Sequence, residues 1–319
     1  MNKNILLKLY AEMYRIRHVE EEIARRYHEG KMRCPTHLSI GQEAVPAALS
    51  QIFRKKDFAV STHRAHAHYL AKGGDLKKML AEIYGKKTGC SKGRGGSMHL
   101  IDLSKNFMGS SAIVGNSIPV GVGLALSSSI KKEKKVSYVF FGDGAVEEGV
   151  FYESLNFAIV KKLPVIFICE NNLYSVYSPL KVRQPLNRKI YKMAKAIGVK
   201  SFLYKTNDVY KLFKFLKNKI SINKNNPGPL FFEFETYRWR EHCGPNFDNE
   251  IGYRKKSEFQ KWLKKDPLSL LKKKLISAQF PYTKIEKKVH LEVSKAFKFA
   301  DVSEFPSNKD LSLKNVYAK

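Results

Sequence analysis

Gly142, Asp143 and Gly144 close one apolar run, VSYVFFG (136–142), and Asn171 and Asn172 follow a second, PVIFICE (164–170). A carboxylate between glycines at a strand end lets a ligand approach the backbone. The helix that follows offers free N–H groups and a partial positive charge suited to a phosphate. A hard divalent cation would then join Asp143 to that phosphate. One carboxylate, one amide oxygen and a backbone carbonyl, completed by two phosphate oxygens and water, make an octahedral magnesium site. Gly-Asp-Gly alone is a common turn, and Asn-Asn alone a common loop. Asp143 and Asn172, however, lie 29 residues apart. That length accommodates a strand end, a helix and a second parallel strand. The crossover sets both side chains at the carboxyl edge of neighbouring strands, where open α/β sheets bind ligands.

The elements that must position these residues read as an α/β fold, a parallel sheet flanked by helices with a helical C-terminal extension. Continuous apolar runs bounded by turn signals suit strands covered on both faces. The strands expected are 136–142, 164–170 and a third run within 229–239, PLFFEFETYRW. Helices are expected at 145–162 and within 206–222. An amphipathic helix is expected within about 1–35, and a charged helical extension with a loop-like tail over about 255–319. The rest of the first third reads as helices and loops, with a Gly- and Lys-rich stretch at 85–100. The whole chain, 1–319, reads as one domain.

Composition narrows the classes of function. The 43% hydrophobic content can bury a full core. Cys34, Cys90, Cys169 and Cys243 show no CxxC pair, which fits reduced thiols in a cytoplasmic protein. No signal-peptide pattern opens the chain. The run Ala112 to Ile130 has the length of a membrane span, but its Gly, Ser and Pro content and Asn116 favour a tightly packed buried helix. The net charge of +29 comes mostly from dispersed lysine pairs without interleaved aromatics. A solvated surface explains this better than a nucleic-acid partner.

The segment GDGAVEEGVFYESLNFAIVKKLPVIFICENNLYSVYS (142–178) resembles the thiamine-diphosphate motif of the α subunits of 2-oxo acid dehydrogenase decarboxylating components. HLSIGQEAVPAAL (37–49), STHRAHAHYLAKGG (61–74), GCSKGRGGSMHL (89–100), AIVGNSIPVGVGLAL (112–126) and RWREHCGPNFDNEIGYR (238–254) also resemble family segments, in family order. The resemblance covers about residues 10 to 275. It implies that Asp143, Asn172 and the carbonyl of Tyr174 ligate Mg2+. Gly142, Gly144 and Ala145 would meet the diphosphate with their backbone, and Arg64 and Arg238 with guanidinium groups. The backbone of Ala112 and Val114 would hold the aminopyrimidine ring. His66 and His242 would face the reacting centre and move protons, and His63 stands where relatives carry an aromatic phosphate ligand. Gln42 and Glu43 could instead simply cap and lead a helix, and His68 is left to the surface or to packing.

The implied activity is oxidative decarboxylation of pyruvate or a related 2-oxo acid, with acyl transfer to a lipoyl group on an acyltransferase. No carboxylate in this chain suits the aminopyrimidine; Glu147 and Glu148 read as surface or interface. In two-subunit relatives that glutamate belongs to the β subunit, so an α2β2 assembly is expected. The sequence departs at Arg240-Glu241-His242-Cys243, where relatives usually read His-Gly-His-Ser. Control by phosphorylation of that serine is therefore not expected. The departure leaves open an acetoin-type dehydrogenase or transfer to a non-lipoyl acceptor. A non-catalytic basic scaffold is the reading furthest from these motifs. Cys243 reads as an incidental loop cysteine.

Overall fold

The computed structural model describes residues 2–223 and 228–310. Its strands are β1 (Phe58–Ser61), β2 (Phe107–Ser110), β3 (Ser137–Gly142), β4 (Val165–Asn171), β5 (Tyr174–Ser175), β6 (Ser178–Pro179), β7 (Lys200–Tyr204) and β8 (Leu230–Glu235). Six of them form one sheet in the order β2-β1-β3-β4-β8-β7, and every neighbouring pair is parallel. The short β5 and β6 pair antiparallel beside it. The helices are α1 (Lys3–Arg26), α2 (Ala44–Ser50), α3 (His66–Ala71), α4 (Leu76–Ile83), α5 (Ser117–Ile130), α6 (Gly149–Val160), α7 (Leu180–Arg183), α8 (Ile190–Ile197), α9 (Val209–Ile222), α10 (Lys256–Leu263), α11 (Pro267–Ser277) and α12 (Tyr282–Val302).

Alternation along the strands sends side chains into two layers. Tyr138 and Phe140 of β3 and Ile166 and Ile168 of β4 join the larger core, under α1, α2, α9, α11 and α12. Val139, Phe141, Val165, Phe167 and Cys169 join a second core, under α5, α6 and α8. β4, buried along its whole length, carries both. Such double coverage is why these strands read as continuous apolar runs. α1 places Leu6, Leu9, Met13, Ile16 and Val19 in the larger core. It is fastened to the far end of the chain, where Tyr10 donates to Glu286 at 2.5 Å and Arg15 to Glu292 at 3.0 Å.

Several expectations need correction. β1 lies in the first third, which reads as helices and loops, and β2 just past it; at four residues each they are too short for a clear period. β7, with only its first residue fully exposed and none buried, was equally silent. The helix expected at 145–162 begins later, because a 3-10 turn over Asp143–Glu147 precedes α6. α5 is not a tightly packed buried helix: Val120 and Ile130 are exposed while Ile118 and Val122 are buried. Among the described residues no helix is long and apolar enough to cross a membrane. Residues 224–227 of the polar turn before β8 and residues 311–319 of the expected tail lie outside the described residues.

One buried carboxylate organises the Gly- and Lys-rich stretch. Glu82, on α4, is fully buried, and its two oxygens accept backbone N–H groups from Ser91 (2.7 Å), Gly93 (2.9 Å), Gly95 (2.6 Å) and Gly96 (3.3 Å). Gly93 and Gly96 supply left-handed backbone; at Gly93 a Cβ would also lie 2.7 Å from the carbonyl oxygen of Gly85. A glutamine at 82 would turn an N–H donor toward other donors. Glu82→Gln is expected to lower unfolding free energy by about 3 kcal/mol in urea titration and to speed amide exchange over 91–96. Unchanged stability would mean that the loop holds its shape without the charge.

Candidate active site

The floor of the site follows from strand register. β3 and β4 pair so that Gly142 stands opposite Glu170, which brings Asp143 and Asn172 together one step beyond the paired edge. The backbone N–H of Asn172 donates to Asp143 Oδ1 at 3.3 Å. The N–H of Tyr174 donates to Asn172 Oδ1 at 3.2 Å, which fixes the amide. Asn172 Nδ2 reaches Gln42 Oε1 at 3.4 Å. Gly142, Asp143, Gly144, Ala145, Glu170, Asn172 and Tyr174 all line one cavity with Gln42. Burial pushes the Asp143 carboxyl up, while the Arg183 guanidinium beside it pulls the other way. Arg183 donates to both Asp143 and Glu147. At Gly144 a Cβ would come within 2.8 Å of Ser175 Oγ.

Two loop segments close the cavity from above. Trp239 N–H donates to the Ile40 carbonyl at 3.0 Å, and Gly244 N–H to the Thr36 carbonyl at 2.8 Å. These bonds lay 36–40 alongside 239–244. Gly41 permits the approach, since a Cβ there would lie 2.4 Å from the Tyr237 carbonyl oxygen. Arg64 ties the segments again, donating to the Leu38 carbonyl at 2.6 Å and the His242 carbonyl at 3.1 Å. Its own pKa is pushed down to about 10 by burial and by Arg238, so it stays cationic at neutral pH. His37, His63 and His242 thus face one another with ring centroids 4.6, 5.0 and 5.2 Å apart.

Of the residues singled out in the sequence, His63, Arg64, Val114, Gly142, Asp143, Gly144, Ala145, Asn172, Tyr174 and His242 meet at this cavity. Three do not line it. His66 is fully buried behind the wall, with Nδ1 2.9 Å from Glu20 and Nε2 2.8 Å from Ser97. Both ring nitrogens are therefore engaged, and the ring cannot face a substrate from there. Arg238 is buried, bound to Asp248 at 3.0 Å and to the carbonyls of Arg240 and Val176 at 2.7 Å; its Nε is unpartnered. Ala112 sits half-buried before α5.

Other residues join the site unannounced. Gln42 lines the cavity, whereas Glu43 pairs with Arg17 and accepts the Gly41 N–H at 3.0 Å. Glu170 lines it as well, bound to His68 at 2.8 Å through one oxygen while the other, buried, has no partner. His68 also meets Ser61 at 2.8 Å and stacks on Phe140, buried rather than at the surface. Glu170 was overlooked because it stood inside an apolar run and read as strand. Cys243 is no activated thiol: burial and Glu241 push its pKa up. A wider cleft lies at the opposite, amino edge of the sheet, near Tyr138, Ile166 and Leu230. The acid, amide and guanidinium groups converge at the carboxyl edge instead.

Burial, chiefly, pushes the three imidazoles down: His37 to about 2, His63 to about 3 and His242 to about 3, with the Arg64 charge adding to each. They are neutral at physiological pH. Unfolded, they take up protons near pH 6.5, so the stabilisation is complete above that pH. It is lost as pH falls from about 6.5 toward 3. In urea titrations across that window, His37→Asn is expected to lose less stability than the wild type, and parallel curves would contradict the assignment.

The family model described as "Dehydrogenase E1 component" matches residues 11–309. The pyruvate dehydrogenase E1 component subunit alpha of Rickettsia felis is 34% identical over 313 residues, covering 97% of this chain and 95% of that protein. The chloroplastic pyruvate dehydrogenase E1 component subunit alpha-3 of Arabidopsis thaliana is 37% identical, covering 98% of this chain and 74% of that protein. A solved structure described as a thiamin diphosphate-dependent enzyme from Mycobacterium smegmatis matches only loosely, at 15% identity and a TM-score of 0.42 over 64% of this chain and 33% of that one. With its match running nearly end to end, the chain belongs to the dehydrogenase E1 component family and is of the α-subunit type of thiamine-diphosphate-dependent 2-oxo acid dehydrogenases.

Proposed function

We propose that this chain anchors thiamine diphosphate through Mg2+ and, with a β subunit, carries out oxidative decarboxylation of pyruvate or a closely related 2-oxo acid, the acyl group passing to the lipoyl group of an acyltransferase. The observation that carries the reading is the meeting of Asp143, Asn172 and Tyr174 with Arg64 in one cavity at the carboxyl edge of β3 and β4. The donor set fits the group. A buried carboxylate, an amide oxygen and a backbone carbonyl are hard oxygen ligands for magnesium. The space beside Gly142 and Gly144 leaves the backbone open to phosphate.

When bound, the cofactor supplies the electron sink for decarboxylation. The chain's own residues hold, orient and shield. Asp143, Asn172 and the Tyr174 carbonyl hold the cation, and the backbone of Gly144 and Ala145 meets the diphosphate. Arg64 would face the same phosphates as a fixed cation, while Arg238, buried behind the lining, holds the roof through Asp248. The backbone of Ala112 and Val114 supports the ring end. Neutral His63 and His242 would stand over the reacting end, where their rings can orient a substrate through hydrogen bonds. His66, enclosed by Glu20 and Ser97, is assigned a positioning role: Glu20 also accepts the Ser39 N–H at 3.2 Å, which steadies the segment carrying His37.

A partner subunit is supported by apolar surface next to the cavity. Val120 on α5 and Tyr152, Phe157 and Val160 on α6 are exposed, as are Ile113 and Val114 at the rim. Covering that surface with a β subunit in an α2β2 assembly would also bring in the carboxylate that the aminopyrimidine needs. The dispersed lysines and reduced thiols suit a cytoplasmic enzyme.

Calorimetric titration of magnesium and thiamine diphosphate into the chain co-expressed with its β subunit tests the reading. Magnesium-dependent binding that disappears in Asp143→Ala is expected, and absence of binding to the well-folded complex would overturn it. A second titration follows from the contact between Arg183 and Asp143. A guanidinium and a magnesium ion compete for one carboxylate, so Arg183→Gln is expected to tighten binding of magnesium alone. Weaker binding in that variant would instead make Arg183 a support of the site.

A further inference from the structure

We propose that His37, His63 and His242 form a second metal site, for a first-row transition-metal dication of the zinc type, in the roof of the same cavity. One ligand atom from each ring lies within 4.8 Å of the other two. Three imidazoles with an open fourth position are a ligand set for zinc and its neighbours, whereas magnesium and calcium take oxygen. The site is therefore distinct in chemistry from the oxygen set at Asp143.

The surroundings prepare the rings for a metal. His37 Nδ1 is buried without a hydrogen-bond partner, an arrangement that ordinarily costs stability and that a metal bond would relieve. His63 Nδ1 lies 2.9 Å from Thr62 Oγ1, which orients the ring and leaves Nε2 as the ligand atom, the usual second-shell arrangement. The roof holds its three histidines from separate segments, cross-linked by the Gly244–Thr36 and Arg64–His242 backbone contacts described above. Zinc–nitrogen bonds of about 2.0–2.1 Å would draw the rings together by roughly an ångström. Arg64 and Arg238, the cations nearest these rings, oppose a dication. The carboxylate of Glu170, which lines the same cavity with one oxygen unpartnered, offsets them.

A consequence follows for control. In the proposed function His63 and His242 stand over the cofactor's reacting end, in one cavity with Asp143 and Asn172, so a zinc ion on the roof and bound thiamine diphosphate exclude each other. This consequence rests on the proposed function; the metal site itself does not.

Cobalt(II), whose visible ligand-field absorption reports tetrahedral nitrogen ligation, is the probe, titrated into the full chain free of cofactor. Saturable one-to-one binding is expected, displaced by zinc. His37→Asn and His242→Asn are each expected to weaken it by more than about tenfold, the loss seen even for outer-shell changes. Asp143→Ala should keep the cobalt band while losing magnesium-dependent thiamine diphosphate binding, so the two readings fail separately. No cobalt band in the wild type, a band indifferent to both histidine variants, or a band lost in Asp143→Ala would each overturn the site. A band that survives saturating magnesium and thiamine diphosphate would overturn the mutual exclusion alone.

Discussion

The site depends on one register. Parallel pairing of β3 with β4 sets Gly142 opposite Glu170, and every group on the floor inherits its place from that pairing. A slip of one residue would send Val139, Phe141 and Phe167 from one core to the other. The two cores therefore enforce the register with their full complement of aromatic and branched side chains, and the chemistry of Asp143 and Asn172 is held by packing remote from it. The placement of Asp143 and Asn172 is a by-product of a sheet covered on both faces.

The roof is built on a different principle. Irregular backbone cannot fix its own shape, and charge does so instead. Asp248, almost fully buried, receives Arg238 at 3.0 Å together with Arg254 and Tyr253. Arg254 also donates to the carbonyls of Arg238 at 2.8 Å and Trp239 at 3.2 Å. The buried ions pair with one another and with the loop's carbonyls, leaving only the Nε atoms of Arg238 and Arg254 unpartnered, and such pairing is the condition under which buried charge is tolerable. Arg64 then joins this loop to the 36–40 segment. Floor and roof differ accordingly in how they would fail, the first by loss of packing and the second by loss of a single ionised group.

The floor was legible in the sequence because local signals and global topology agreed there: two apolar runs, glycines at the first exit, asparagines at the second, and a crossover-length spacing. The family resemblance added Arg64, His63 and His242, all of which reach the cavity. It also brought forward His66, which the structure encloses behind the wall between a carboxylate and a hydroxyl. His37 and Glu170 were hidden for opposite reasons. His37 gains meaning only when a loop some two hundred residues later lies against it, and no local pattern encodes that pairing. Glu170 sat within a strand pattern that explained it already. The short β1 and β2 escaped notice because four residues carry too little periodicity to separate a strand from a loop.

The fastening of α1 to α12 bears on how the protein is made. Tyr10 and Glu286 are separated by 276 residues, and at about 5–20 residues per second the ribosome needs on the order of tens of seconds to deliver the second partner. Through that interval the apolar face of the first helix has no final cover from the last. The nascent chain is thus open to aggregation, and to chaperones that bind exposed apolar helices, until α12 has been made. A ribosome stalled anywhere before α12 would release a fragment with its first helix still uncovered.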